Sequence, residues 1–371
     1  MNKNLKSLTL AALVLLASCS KDESSDAENK DQAIEELENT PLQANDVANN
    51  VVIQGGTKND GTPPTPNEAI SLDVSASSKT ALLGEGFEVS INSDGNVTGA
   101  YLQFKANDGT MADGYYDIDI NANSSSSKSL KGFIGKNRKN NVSITAKEDD
   151  NTLDVDFNSN IEPGTFCYVI CVYDVEGNIS APEEVCVTVE SWGGKSDLVA
   201  EWKLIKEEYP DEDGKIDVDE AGVSECDTNS ATCANEMTLE YEECSFLEFG
   251  NITFKENGTY EYEFKGGEDY LDYHTSVENC EVSYLEYVDH YTSTGNWAYV
   301  AEEKRLTIVE YSYNDMGTEG EGVETYTPGN GELLYDGQIE LDGNSLIITE
   351  SYDSNGDGTF ESTYKVFFEK K

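Results

Sequence analysis

The chain has 371 residues, 73 of them acidic and 24 basic, with a net charge of −49 and a hydrophobic fraction of 37%. This charge argues against nucleic acid as a partner, because phosphate binding requires clustered Lys and Arg, and it makes divalent cations natural partners. The length allows two ordinary domains beyond a leader and a tether.

At the start, Lys3 and Lys6 precede LTLAALVLL, Leu8 to Leu16, and the small residues Ala17 and Ser18 follow. A positive n-region, a short apolar core and small residues define a signal peptide over residues 1–18. The core is too short to span a bilayer, which needs about 20 apolar residues. Residues 1–18 carry two lysines and no acid, so their removal takes the net charge to −51.

Leu16-Ala17-Ser18-Cys19 resembles the lipobox of bacterial lipoproteins. The resemblance implies that Cys19 is diacylated and becomes the first residue of the mature chain, held by acyl chains whose buried CH₂ groups contribute about 0.8 kcal/mol each. Cys19-Ser20-Lys21-Asp22-Glu23 is similar to the export signal of Bacteroidota surface lipoproteins. It implies an outer-membrane, lipid-anchored protein facing the cell exterior; a solvated linker is the other reading of the same acidic run.

Residues 19–69 then read as a disordered acidic linker. They include KDESSDAENKDQAIEELEN and GGTKNDGTPPTPNE, with Pro41, Pro63, Pro64 and Pro66. Too few large apolar residues are present to offset the entropy of ordering, and Asp31 to Asn39 is expected only as a transient helix.

From residue 70 to 191 the apolar period becomes two. Leu72/Val74, Phe87/Val89/Ile91, Leu102/Phe104, Tyr116/Ile118/Ile120, Val142/Ile144, Leu153/Val155/Phe157 and Val185/Val187/Val189 alternate with small or polar residues. Asp94-Gly95-Asn96 and Asn107-Asp108-Gly109 fall between them as turns. This spacing predicts a β-sandwich. CVYDVEGNISAPEEVCVTVE, Cys171 to Glu190, looks like the last hairpin of a bacterial immunoglobulin-like domain, which implies a spacer or a protein-contact module. Lys128, Lys131, Lys136, Arg138 and Lys139 form a basic cluster, read either as a solvated loop or as a dock for an anionic partner such as lipopolysaccharide or the chain's own acidic domain.

Ser191 to Ser196 is a hinge, and residues 197–371 read as a second all-β domain. Asn257-Gly258 within ITFKENGTYEYEF is a hairpin signal, with Tyr260, Tyr262 and Phe264 on one face. IELDGNSLIITESYDSNGDGTFESTYKVFFEKK repeats the design, and a long meander closes on itself to remove exposed edges. EWKL from Glu201, Cys244, ITFKENGTY, GNWAYVAEEKRLTI and LDGNSLIIT resemble the lipocalin-like domain of Bacteroidota lipoproteins, although Ala200-Glu201-Trp202 stands where lipocalins carry Gly-X-Trp. The resemblance implies an eight-stranded antiparallel barrel, either hollow with one small ligand or filled by side chains.

Two stretches are similar to calcium loops. In DSNGDGTFE, Asp353, Asn355, Asp357, Thr359 and Glu361 match ligand positions, but Tyr364 occupies the last one. In YPDEDGKIDVDE, Asp211, Asp213, Asp217 and Glu220 match, with Tyr209 where an acid is expected. A structural Ca²⁺ is one reading of each; Asp, Asn and Gly as plain turn formers are the other.

Seven cysteines remain beyond Cys19 in an oxidising compartment. Cys186 pairs with Cys167 if the turn centres on Glu176-Gly177, or with Cys171 if it centres nearer Asn178-Ile179, which leaves one buried thiol. Cys226, Cys233, Cys244 and Cys280 allow three pairings.

No catalytic constellation accompanies His274 and His290, so no enzyme activity is expected. Tyr270, Tyr273, Tyr284, Tyr287 and Tyr291 are either wall packing or a platform for a sugar or apolar ligand. The leading expectation is a lipid-anchored surface protein whose barrel captures a small molecule or glycan through Trp202, Trp297, Tyr260 and Tyr262. The alternative is a structural, adhesion or assembly protein with a filled barrel that meets a protein partner.

Overall fold

Alternating apolar sequence becomes strand in two successive β units. The computed structural model describes residues 23–120, 151–158, 160–210, 214–318, 320, 322–327, 330–352 and 362–371. The signal peptide, Cys19, Val142/Ile144 and the basic cluster from Lys128 to Lys139 lie outside the described residues.

The first unit contains α1 (Glu23–Glu38), α2 (Ala44–Asn49), β1 (Val51–Ile53), β2 (Gly56–Asp60), β3 (Thr80–Leu82), β4 (Phe87–Ile91), β5 (Val97–Lys105), β6 (Gly114–Asp119), β7 (Asn151–Phe157), β8 (Gly164–Asp174) and β9 (Glu183–Glu190). One sheet runs β1-β7-β4 and the other β2-β6-β5-β8-β9-β3. Only the β3–β9 pair is parallel among these pairings. Val89, Leu153 and Val155 from the smaller sheet share a core with Leu102, Phe104, Ile118, Phe166 and Val172 from the larger, all at 0% exposure. The predicted alternation of β4, β5, β6, β7 and β9 is thus the alternation that buries them.

The linker expectation for residues 19–69 needs correction. Ala44, Val47 and Ala48 of α2 are buried in this core, β1 pairs with β7, and β2 pairs with β6. Val51 and Ile53 point inward while Val52 points out, a short β pattern that the surrounding polar composition hides. The expected strand at Leu72/Val74 reduces to one bridge between Asp73 and Asn92. There Ser75 N donates to Asp73 Oδ1, a local turn that ends the extended run.

The second unit contains β10 (Ala200–Pro210), β11 (Ile216–Glu220), β12 (Val223–Thr232), β13 (Thr238–Phe254), β14 (Thr259–Leu271), α3 (Tyr273–Asn279), β15 (Tyr284–Val300), β16 (Arg305–Asp315), β17 (Gly322–Thr325), β18 (Glu332–Asp342), β19 (Ser345–Tyr352) and β20 (Ser362–Lys370). Strands β10, β20, β19, β18, β16, β15, β14 and β13 pair in that order. The β10–β13 pairing, Ala200↔Phe254 to Lys203↔Asn251, closes an eight-stranded antiparallel barrel. Strands β13 and β15, 17 residues each, continue past it and carry β12 as a projecting sheet.

Asn257-Gly258 turns β13 into β14 as expected; Gly258 has φ 75°, and a side chain there would collide with Trp192 of the hinge. Tyr260, Tyr262 and Phe264 face the barrel core at 1%, 2% and 5% exposure. Disulfides join Cys167–Cys186, Cys226–Cys244 and Cys233–Cys280. The β8–β9 turn therefore takes the Glu176-Gly177 register, and Cys171 is the free, buried thiol. Burial pushes that thiol up to about 11, so it stays protonated and unreactive.

Candidate functional site

Strand β9 ends at Glu190, and the hinge that follows is pinned to the barrel. Gly193 N donates to Trp297 O, and Tyr299 N donates to Gly193 O. Gly193 and Gly194 adopt φ of 104° and 101°, which a residue with a side chain rarely takes. Helix α1 lies across this junction. Its Glu38 Oε1 accepts from Ser191 N at 2.8 Å, and its Asp31 carboxylate accepts from Ser196 N at 2.8 Å and Ser196 Oγ at 3.0 Å. Lys30 reaches Glu256 of the β13–β14 turn at 2.9 Å.

Arg305, at the start of β16, is the central cation of the junction. Its Nε and Nη2 donate to the two oxygens of Asp336 at 2.7 and 3.0 Å, and Nη1 donates to Thr80 Oγ1 of β3 at 2.8 Å. Glu190 lies 3.9 Å from Nη1, is only 3% exposed, and neither of its oxygens has a hydrogen-bond partner. Burial, larger than the opposing attraction of Arg305, pushes the Glu190 carboxyl up to about 8, with Glu38, Asp336 and Glu303 adding to the rise. Burial raises Glu38 as well, against the Ser191 hydrogen bond. Nearby, Tyr311 donates to Glu85 Oε1 at 2.5 Å, a second polar tie between the units.

Two cavities flank this cluster. One, of about 640 Å³, lies between α1, the end of β9 and the β15–β16 turn, with Ile34, Glu38, Glu190, Lys195, Tyr299 and Glu303 in its wall. The other, of about 230 Å³, is bordered by Thr80, Glu85, Arg305 and Asp336. A groove of about 1140 Å³ follows β18 and β19. An acidic recess of about 640 Å³ surrounds the Cys226–Cys244 disulfide with Asp217, Asp219, Glu243 and Glu268, where Tyr209 donates to Asp219 Oδ1 at 2.9 Å.

The residues expected to line a ligand pocket lie elsewhere. Trp202 and Trp297 are 0% exposed, Tyr260 1% and Tyr262 2%, and they border none of these cavities. Trp202 Nε1 donates to Leu198 O at 2.8 Å, Trp297 Nε1 to Lys255 O at 3.3 Å, and Tyr260 Oη shares a 2.6 Å bond with Ser293 Oγ. Leu204, Ile252, Phe254, Leu306, Ile308, Leu346, Ile348 and Phe368 fill the space around them at 0–2% exposure. Towards the projecting end the interior turns polar: Glu207, Glu310 and Glu350 are buried at 3%, 0% and 4%, each engaged with a partner.

Of the calcium-like loops, Asp211, Asp213, Asp353, Asn355, Asp357, Thr359 and Glu361 lie outside the described residues. Asp217 and Glu220 sit on β11 opposite Tyr209 and Lys206. Residues three apart on a strand face opposite sides, so these two carboxylates diverge rather than converge. Among the described residues, one grouping, Cys167, Glu184 and Cys186, brings three metal-type ligand atoms within 4.8 Å, and its two sulfurs form a disulfide. His290 contacts Glu263 at 3.1 Å on the barrel exterior. Tyr270, Tyr273 and Tyr284 are exposed on or beside the projecting sheet, while Tyr291 is buried against Phe264.

The junction was not foreseen from sequence. Glu190 continues the alternation Val185/Val187/Val189 on the outward face, where a carboxylate is ordinary; only the folding back of the hinge buries it. One signal was available: Arg305 is one of only two arginines in the chain, the other being Arg138. Arginine is the cation suited to buried bidentate pairing. No protein-family model matches the chain, and a search of curated proteins finds no match.

Proposed function

We propose that this chain is a non-catalytic recognition or assembly lipoprotein, tethered to the outer membrane through Cys19, in which an immunoglobulin-like unit and a lipocalin-like barrel act as a rigid scaffold. The observation that carries the reading is the filled barrel floor: Trp202, Trp297, Phe254 and Tyr260 close it at 0–1% exposure. Such a barrel has no room for the enclosed ligand of a hollow one. Recognition then falls to outer surfaces, and any Ca²⁺ at Asp353–Glu361 braces a loop.

The test pairs two measurements. Titration with a fluorescent fatty acid should give no saturable quenching of Trp202 and Trp297; one-to-one saturation would overturn the filled-barrel reading. Cys19→Ala should move the protein from the membrane to the soluble fraction, and retention would overturn the anchor.

A further inference from the structure

We propose that the free edge of β12 is a docking site for a cationic, extended segment of another protein, which adds to the projecting sheet as one more strand. This rests on the reading of the chain as a recognition protein, and it names the surface and the kind of partner.

Among the described residues β12, Val223–Thr232, has one paired neighbour, β13, in a register unbroken from Val223↔Leu247 to Thr232↔Thr238. Strand β11, which precedes it, pairs with β10 instead. Just past β12, Cys233 N donates to Met237 O. Cys226 and Cys244 stand opposite each other with Cα atoms 4.1 Å apart, the close spacing of a pair that exchanges no hydrogen bonds. Both fix the same alternation: odd-numbered residues bond to β13, while Cys226, Thr228 and Ser230 turn N–H and C=O to the open side. All of β12 except Ala231 is exposed.

Proteins blunt such an edge with a short strand, a lysine, a proline or a bulge. Strand β12 is 10 residues long and has none of these. Its charges are Glu225 and Asp227, which share a face with Asn229; the other face carries Ser224, Thr228 and Ser230. The surroundings have the same sign: residues 221–249 and 266–289 hold seven acids each and no lysine or arginine. The acidic recess of about 640 Å³ borders this strand, with Asp217, Glu225, Asp227 and Glu243 in its wall. That field repels a second copy of this chain, a polyanion and an anionic lipid surface, and it attracts a segment rich in Lys or Arg. A strand with lysines at alternate positions lays them opposite Glu225 and Asp227, while its backbone completes the ladder, as in other cases of strand addition.

The probe is a fluorescently labelled, capped peptide of about ten residues that alternates lysine with threonine, titrated into the full mature chain and followed by anisotropy. One-to-one saturation is expected. The same peptide N-methylated at every threonine keeps its charge but loses the ladder, and should bind at least about tenfold more weakly. A version with glutamate for lysine should not saturate. Thr228→Pro removes an N–H that faces the open side, so the β12–β13 ladder stays whole; it should weaken the lysine peptide at least about tenfold. Replacing two exposed side chains, Glu225→Lys with Asp227→Lys, should weaken it as much. Equal affinity for the methylated peptide, unchanged binding by either variant, or no saturation with millimolar peptide would overturn the proposal. So would a mature chain that sediments as a dimer until Thr228→Pro makes it a monomer, since the occupant is then a second copy. The fatty-acid titration reads the barrel interior alone, so failure here and failure of the filled-barrel reading are separate results.

Discussion

The junction carboxyl Glu190 makes stability depend on pH in a calculable way. Its carboxyl titrates near 8 in the folded protein against 4.5 when unperturbed. Between those values the folded chain holds a proton that the unfolded chain has released, so stability is full below pH 4.5 and is lost as pH rises. Each pH unit removes about 1.4 kcal/mol, and by pH 8 the loss from this group approaches about 4 kcal/mol. The side chain is 3% exposed, so solvent screening trims little of this. Glu190→Gln mimics the protonated form. It should exceed the parent by no more than about 1 kcal/mol at pH 5 and by about 4 kcal/mol at pH 8 as an upper figure. Urea unfolding from pH 5 to 8.5, read as the difference between variant and parent, cancels the slopes from Glu38 and the remaining carboxylates. A variant no more stable than the parent at pH 8, with the same dependence on pH, would refute a buried, proton-holding Glu190.

Three further outcomes follow from the packing and the crosslinks. Phe254→Ala opens a cavity beneath Trp297, whose ring lies 5.2 Å away, and should cost about 3–5 kcal/mol in chemical denaturation. Replacing Cys233 and Cys280 by Ala releases a closure of 47 residues and should cost about 4 kcal/mol, against about 3 for the 18-residue Cys226–Cys244 closure, measured as shifts in urea midpoint. Millimolar Ca²⁺ should raise the melting temperature relative to chelator if Asp353, Asn355 and Asp357 hold an ion, and Asp357→Asn should reduce the rise.

The sequence made the strand-rich units legible because period-two burial is a local signal. Phe87/Val89/Ile91, Tyr260/Tyr262/Phe264 and the Asn257-Gly258 turn carry their own registers, and the structure follows them. It also held the Cys167–Cys186 pairing as one of two alternatives, because a shift of two residues in the turn centre decides which cysteine faces Cys186. What stayed hidden was long-range. Residues 44–60 look like linker by composition, yet a few apolar side chains, Val47, Val51 and Ile53, suffice once a preformed sheet offers them a surface. The buried junction was hidden for the same reason: Glu190, Arg305 and Asp336 are ordinary surface residues until two units meet.

Helix α1 meets the body at the hinge, with Asp31 bonded to Ser196 and Glu38 to Ser191, rather than at either far extremity. A leash leading from α1 would therefore pull at the waist. Tension along it would load the seam joining the two halves before it loaded either one, and both distal tips would swing free of whatever holds the leash.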